Sequence, residues 1–124
     1  MKTLGIDYGT VRVGTAISYA SLAEPLQILD QGPQLLAELE NIIRQHKVQQ
    51  LVIGISENEM AAKSQAFAAI MREKFQLPVY LEDETLSSYQ VHQFLKLHRL
   101  KDRRGPIDHL AAAVILQNFL DEQT

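Results

Sequence analysis

The sequence predicts a mixed α/β fold, with a five-stranded sheet of three antiparallel strands followed by two parallel ones, flanked by helices. Three observations carry that prediction. Near the amino terminus, Val11, Val13, Thr15 and Ile17 alternate with Arg12, Gly14, Ala16 and Ser18, the period of a strand with two unlike faces. Farther on, helical stripes alternate with short apolar runs, and a strand–helix–strand order implies parallel, right-handed crossovers. No repeat, low-complexity tract or linker interrupts the 124 residues, a length that fits a single domain, 1–124.

The elements follow in order. Thr3–Tyr8 and Val11–Ser18 read as strands separated by Gly9-Thr10, a tight hairpin although Gly-Thr is a weaker turn signal than Asn-Gly. Leu26–Leu29 reads as a third strand, with Pro25 tolerated at its start. Leu35, Leu39, Ile42, Ile43 and His46 lie at helical spacing, and Leu51-Val52-Ile53-Gly54-Ile55 is the unbroken apolar run of a strand covered on both faces. Met60, Ser64, Phe67, Ala68, Met71 and Phe75 form a second helical stripe, and Leu77–Leu81 reads as another strand. Ser87-Ser88-Tyr89-Gln90 has capping-box spacing before Val91, Phe94, Leu95 and His98. Gly105-Pro106 precedes a last helix from about Ile107 to Leu120, with proline at the favoured first position. Tyr80 and Phe94 are expected in the core.

Composition narrows the function classes. Hydrophobic residues make up 46% of the chain against 22% charged, enough to bury a core. The absence of cysteine excludes a disulfide framework, a thiolate metal site and a cysteine nucleophile. No apolar run approaches the ~20 residues that span a bilayer, and the amino terminus lacks the long apolar stretch of a signal peptide; a cytoplasmic protein is expected. The net charge of −3 announces no polyanion partner, but its distribution is uneven. Lys96, Arg99, Lys101, Arg103 and Arg104 surround a single acid, Asp102, giving this stretch +4 and leaving −7 for the remainder of the −3 total. The segment reads either as an electrostatic footprint for a nucleic acid or as a solvated helix end and loop.

Acidic residues gather at element ends. Asp7 lies between Ile6 and Tyr8 in an apolar strand, where an ionised carboxylate is costly unless paired, hydrogen-bonded or metal-bound. Glu82-Asp83-Glu84 closes a strand, and three successive acids repel unless solvent or a cation neutralises them. Asp108 falls in the first turn of the last helix, where the dipole favours negative charge. It shares a stripe with Ala111, Ala112, Ile115 and Phe119, and those alanines, facing Gly5 on the Asp7 side of the first strand, allow a close approach of helix to sheet. Carboxylates from two strands and a helix end form a hard oxygen-ligand set suited to Mg²⁺ or Mn²⁺. The strand end leaves open which of Glu82, Asp83 and Glu84 is the ligand. The histidines form no metal motif: His46, His92 and His98 fall in helices, and His109 alone adjoins the acids. Gly9-Thr10 after a buried strand also fits the phosphate loop of actin-like ATPases, but those need two related domains, and neither a Walker A loop nor a GxGxxG fingerprint occurs.

Four segments in this order resemble the YqgF/RuvX proteins, ribonuclease H-like proteins described as Holliday junction resolvases and as nucleases for precursor 16S rRNA. They are Gly5-Ile6-Asp7-Tyr8-Gly9-Thr10-Val11-Arg12-Val13-Gly14, Leu51-Val52-Ile53-Gly54, Asp83-Glu84-Thr85-Leu86-Ser87-Ser88, and Ile107-Asp108-His109-Leu110-Ala111-Ala112-Ala113-Val114-Ile115-Leu116-Gln117. The resemblance covers nearly the whole chain. It implies a ribonuclease H-like fold and a metal-dependent nuclease whose acidic site is Asp7, Glu84 and Asp108, holding Mg²⁺ or Mn²⁺. Arg12 and Lys96, Arg99, Lys101, Arg103 and Arg104 would then hold backbone phosphates. Three positions depart from the family pattern: Thr85 replaces an arginine, Ile55-Ser56-Glu57-Asn58-Glu59 replaces a proline- and glycine-bearing loop, and Tyr19 replaces a common acid. The expected substrate is structured precursor rRNA in ribosome biogenesis, with the protein a monomer or weak homodimer. Two rivals stand beside it: a resolvase of branched DNA, which needs a stable symmetric dimer, and a non-catalytic RNA- or protein-binding module.

Overall fold

The computed structural model describes residues 1–55, 60–83 and 108–123. Among them, β1 (Thr3–Tyr8), β2 (Arg12–Tyr19), β3 (Leu22–Asp30), β4 (Gln50–Ile55) and β5 (Val79–Asp83) form one sheet in the order β3-β2-β1-β4-β5. The first three strands are antiparallel neighbours, whereas β1–β4 and β4–β5 are parallel, as the switch from hairpin to strand–helix–strand pattern predicts. Helices α1 (Leu35–His46) and α2 (Met60–Phe75) follow β3 and β4, and α3 (Asp108–Glu122) comes last. None of the described helices is long and apolar enough to cross a membrane.

The alternation of β1 and β2 divides the side chains between two faces. Leu4, Ile6, Val13, Ile17, Leu51, Ile53 and Val79 pack with Leu35, Leu39 and Ile42 of α1 and with Phe67, Ala68 and Met71 of α2. Ala16, Ala23 and Val52 pack on the opposite face with Ala112, Ala113, Ile115, Leu116 and Phe119 of α3. In α1 the buried residues recur at i, i+4 and i+7, Glu38 stands in the first turn and Arg44 in the last, each favoured by the helix dipole. The helix ends at Lys47 with φ 54°, where the Lys47 N–H donates to Arg44 O (3.3 Å) and the Val48 N–H to Ile43 O (3.0 Å), a Schellman arrangement. α2 ends on Gln76 at φ 56°, its N–H donating to Arg72 O at 3.0 Å.

Three features depart most from the sequence expectation, besides β5, which runs Val79–Asp83 rather than Leu77–Leu81. The first hairpin turns on Thr10-Val11 rather than Gly9-Thr10, because the Gly9 N–H donates to Arg12 O at 3.0 Å and closes the loop there. A Cβ at Gly9 would stand 2.4 Å from Arg12 O, so the tight turn requires glycine one position before the turn residues. Second, β3 begins at Leu22 and takes Pro25 into its interior, opposite Ala16. Pro25 is tolerated there because β3 is an edge strand of the sheet. The register shifts between Gly14 and Ala16, and Thr15 Oγ1 fills the gap, donating to Gln27 O (2.6 Å) and accepting from the Gln27 N–H (3.1 Å). Third, Tyr80 is 45% exposed rather than core, since β5 lies at the other edge; its ring still meets Phe119 at 5.2 Å. The expected helix around Val91–His98, Phe94 within it, and Gly105-Pro106 lie outside the described residues.

Candidate active site

Asp7 is placed by the register of its strand. Leu4 and Ile6 face α1 and α2, so Gly5 and Asp7 face α3. Asp7 pairs with Gly14 on β2. On the other side Ile6 pairs with Ile53, which brings Gly54 beside Asp7 one step on, and Gly54 pairs with Glu82. A row across the α3 face of the sheet therefore reads Gly14, Asp7, Gly54, Glu82. Adjacent strands are about 4.8 Å apart, so the Asp7 and Glu82 backbones lie roughly 10 Å apart with a side-chain-free position between them. Both carboxyl-bearing residues are half-buried.

The approach of α3 is set by small residues. A Cβ at Gly5 would stand 2.7 Å from Leu116 Cβ and 3.1 Å from Ala112 O, so the helix rests almost directly on the backbone of β1. The helix runs antiparallel to that strand: Ala112 lies over Gly5, while Leu120 and Gln123 share a shallow cavity with Met1 and Thr3 at the strand's beginning. Asp108 begins the helix one turn, about 6 Å, before Ala112, and Asp7 lies about 6.6 Å beyond Gly5 in the same direction. The start of α3 thus comes to the Asp7 end of the sheet. Gln117 braces this packing. Its Oε1 accepts from the Ala23 N–H (2.9 Å), and its Nε2 donates to Ser21 O (2.9 Å) and Asp121 Oδ1 (3.0 Å).

Arg12 opens β2 two residues before Gly14, so it stands on the Asp7 face as a diagonal neighbour of that carboxylate, exposed and opposite Asp30 in register. Of the remaining expected site residues, Asp108 is described as the first residue of α3 without its side chain. Glu84, Lys96, Arg99, Lys101, Arg103 and Arg104 lie outside the described residues, as do the side chains of Asp83 and His109 and the departures at Thr85 and 56–59. Tyr19, the third departure, ends β2 at the far end of the sheet from Asp7, with Lys2 Nζ 4.3 Å above its ring. It is remote from the acids.

Among the described residues, no three His, Asp or Glu side chains come together to hold a metal ion. The donor chemistry nonetheless fits a hard cation: Asp7 and Glu82 bring carboxylates to one face, with no side chain at Gly54 between them. Sequence reasoning did not single out Gln31. Its Nε2 donates to Gly9 O at 2.7 Å and its backbone N–H to Val11 O at 2.9 Å. No periodicity or motif marks it, because the side-chain bond closes across 22 positions of chain.

Comparison with known proteins gives this arrangement its relatives. A family model described as "RuvX: Holliday junction resolvase" matches residues 1–122. A Geobacillus kaustophilus protein named "Putative pre-16S rRNA nuclease" is 38% identical over 137 residues, covering 99% of each chain. A Lactobacillus acidophilus protein of the same name is 35% identical over 137 residues, covering 98% of this chain and 96% of that one. Among solved structures, Thermus thermophilus RuvC superposes with a TM-score of 0.70 at 17% identity, over 99% of this chain and 96% of its own. The fowlpox virus Holliday junction resolvase gives 0.69 at 12% identity, over 98% and 99%. At such identities the likeness concerns the fold, which is ribonuclease H-like. Matched along nearly its whole length by both the family model and the bacterial relatives, this chain belongs to the RuvX family.

Proposed function

We propose that the chain acts over residues 1–124 as one metal-dependent phosphodiester nuclease domain, a hydrolase that processes the 5′ end of precursor 16S rRNA in ribosome biogenesis. The observation that carries the reading is the acidic row on the α3 face, where Asp7 and Glu82 flank a bare glycine position at the end from which α3 starts. The name shared by the bacterial relatives supports RNA as the substrate. Asp7, Asp108 and one acid of Glu82-Asp83-Glu84, which the family resemblance makes Glu84, are the proposed ligands of Mg²⁺ or Mn²⁺. Such an ion, when bound, supplies an acidified water and charge stabilisation of the leaving oxygen.

The chain's own residues do the rest. β1 holds Asp7 rigidly, hydrogen-bonded to strands on both sides. Gly14 and Gly54 place no side chain beside Asp7 on either neighbouring strand. Arg12 lies beside the acids and offsets their repulsion of the substrate backbone, and Lys96, Arg99, Lys101, Arg103 and Arg104 extend that attraction along the strand. The positive end of the α3 dipole points to the same end of the sheet. Phosphate contacts of this kind position a nucleic acid with little readout of its sequence.

The test is cleavage of labelled precursor 16S rRNA and of a four-way DNA junction by the purified chain, with Mg²⁺, Mn²⁺ or chelator. The expected result is metal-dependent cutting of the rRNA precursor. Asp7→Asn should abolish cutting while leaving the melting temperature in chelator unchanged or raised, because it removes one charge from a repelling cluster. A large loss of stability in chelator would make Asp7 structural instead. The family description favours a second reading, resolution of branched DNA. Paired cuts in the junction by a stable dimer, with the rRNA precursor intact, would establish it. Binding without cleavage of either substrate would return the chain to a non-catalytic module.

A further inference from the structure

We infer that Gln31 is a positioning residue: it fixes the β1–β2 hairpin tip so that Arg12 is presented to a phosphate in a single backbone conformation. The inference rests on the reading above that Arg12 contacts backbone phosphate. The tip is otherwise a poor platform. Thr10, Val11 and Arg12 are exposed, Val11 to 70%, and an exposed loop of this kind ordinarily samples several conformations. Here it is tied at three points. The Gly9 N–H donates to Arg12 O at 3.0 Å within the turn. The Gln31 N–H donates to Val11 O at 2.9 Å, and Gln31 Nε2 donates to Gly9 O at 2.7 Å.

The last two bonds come from outside the hairpin. They anchor it to the residue that follows β3, so the backbone on both sides of Thr10 is held by one glutamine. The chemistry is specific to an amide of that length. Gly9 O is an acceptor and needs a donor; a glutamate would set a carboxylate against it, and an asparagine falls one carbon short. A tip ordered in advance loses less conformational freedom when it binds, which is how a residue that touches no substrate can raise affinity. A purely structural Gln31 would only fasten the end of β3, and its removal would lower stability without altering how Arg12 meets a phosphate.

The salt dependence of binding separates these roles. The full-length chain is titrated in chelator with a labelled single-stranded RNA oligonucleotide at several salt concentrations, as wild type, Arg12→Gln, Gln31→Met and the double variant. Arg12→Gln should weaken binding and flatten the slope of log K against log salt by about 0.7, the loss of one phosphate contact. Gln31→Met should weaken binding about three- to tenfold, flatten the slope in the same direction, and add nothing in the Arg12→Gln background. Gln31→Asn, which keeps the amide and shortens its reach, replaces Gln31→Met if that variant does not fold. If Arg12→Gln acts but Gln31 variants leave the slope unchanged, or add fully to Arg12→Gln, the positioning role is wrong and the nuclease reading stands. If Arg12→Gln itself changes neither affinity nor slope, the phosphate contact is wrong, and the inference falls with it.

Discussion

On one face of the sheet, Leu4, Ile6, Val13, Ile17, Leu51 and Ile53 meet two helices through leucine, isoleucine, phenylalanine and methionine. On the other, among the described residues, Gly5, Ala16 and Ala23 meet α3 through Ala112, Ala113 and Leu116, closely enough that a Cβ at Gly5 would lie 2.7 Å from Leu116. The first face maximises apolar area per residue, and the second minimises the distance between helix and sheet. Asp7 and Glu82 are on the second. Large side chains there would lift the start of α3 away from the acids, so close packing on this thin face brings the helix start toward the candidate site, whereas the first, thick face buries the bulkier side chains.

The largest effect should therefore come from emptying the thick face. Phe67 is buried to 4% exposure and its ring stacks on Tyr8 at 4.1 Å and 16°. Phe67→Ala should cost about 3–5 kcal/mol in denaturant unfolding, from lost burial and the cavity left behind. A loss below about 1 kcal/mol would show that α2 collapses into the space, and the contrast between faces would shrink.

The thin face should fail in the opposite direction, by filling. Gly5→Ala is expected to cost about 1–3 kcal/mol, because neither Leu116 Cβ nor Ala112 O can withdraw without moving α3. Under the nuclease reading it should also reduce cleavage at temperatures where the variant stays folded. A stable, fully active Gly5→Ala would mean that the helix has slack. Gln117→Met tests the brace on the same face. It leaves the N–H of fully buried Ala23 without its acceptor, at a cost of about 1–2 kcal/mol in the same unfolding measurement. Unchanged stability would show that another group takes over that N–H.

Much of this contrast can be read without coordinates. The alternation in β2, the apolar run of β4 and the stripes of α1 and α2 each have a single period, so the sheet and its direction changes follow from them. The placing of Gly5 and Asp7 on one side, facing alanines of the last helix, follows from period two in the same way. What could not be read depends on tertiary context. Pro25 marks a strand's start in isolation, and only an edge position with a bulge opposite Thr15 lets the strand run through it. Tyr80 reads as core by its apolar neighbours, yet the strand order leaves it at an edge. Gln31 carries no local signal, because its bonds to the hairpin tip form only once β3 has returned beside it. Of the acids, Asp7 was the most legible, since a charge inside an apolar strand conflicts with local propensity.

The smallest expected effects lie at the exits of the thick face's helices, and they test whether the two faces are separable. Lys47 and Gln76 end α1 and α2 in the left-handed region, at φ 54° and 56°, where a Cβ is strained and glycine is not. Their main-chain bonds, Val48 N–H to Ile43 O and Gln76 N–H to Arg72 O, need no side chain and would persist. Relief of strain is partly offset by the greater freedom glycine gives the unfolded chain, so Lys47→Gly should stabilise by about 0.5–1 kcal/mol, and Gln76→Gly by less, because it also removes the bond that Gln76 Nε2 donates to Glu73 O at 2.6 Å. Thermal melting of the single and double variants checks this, and the two gains should add because the helix ends share no partner among the bonds described. Cleavage under the nuclease reading should be unchanged, since both positions lie at the end of the sheet away from Asp7. A stabilised double variant with altered cleavage would show that the thick face communicates with the site, and the division between the faces would no longer hold.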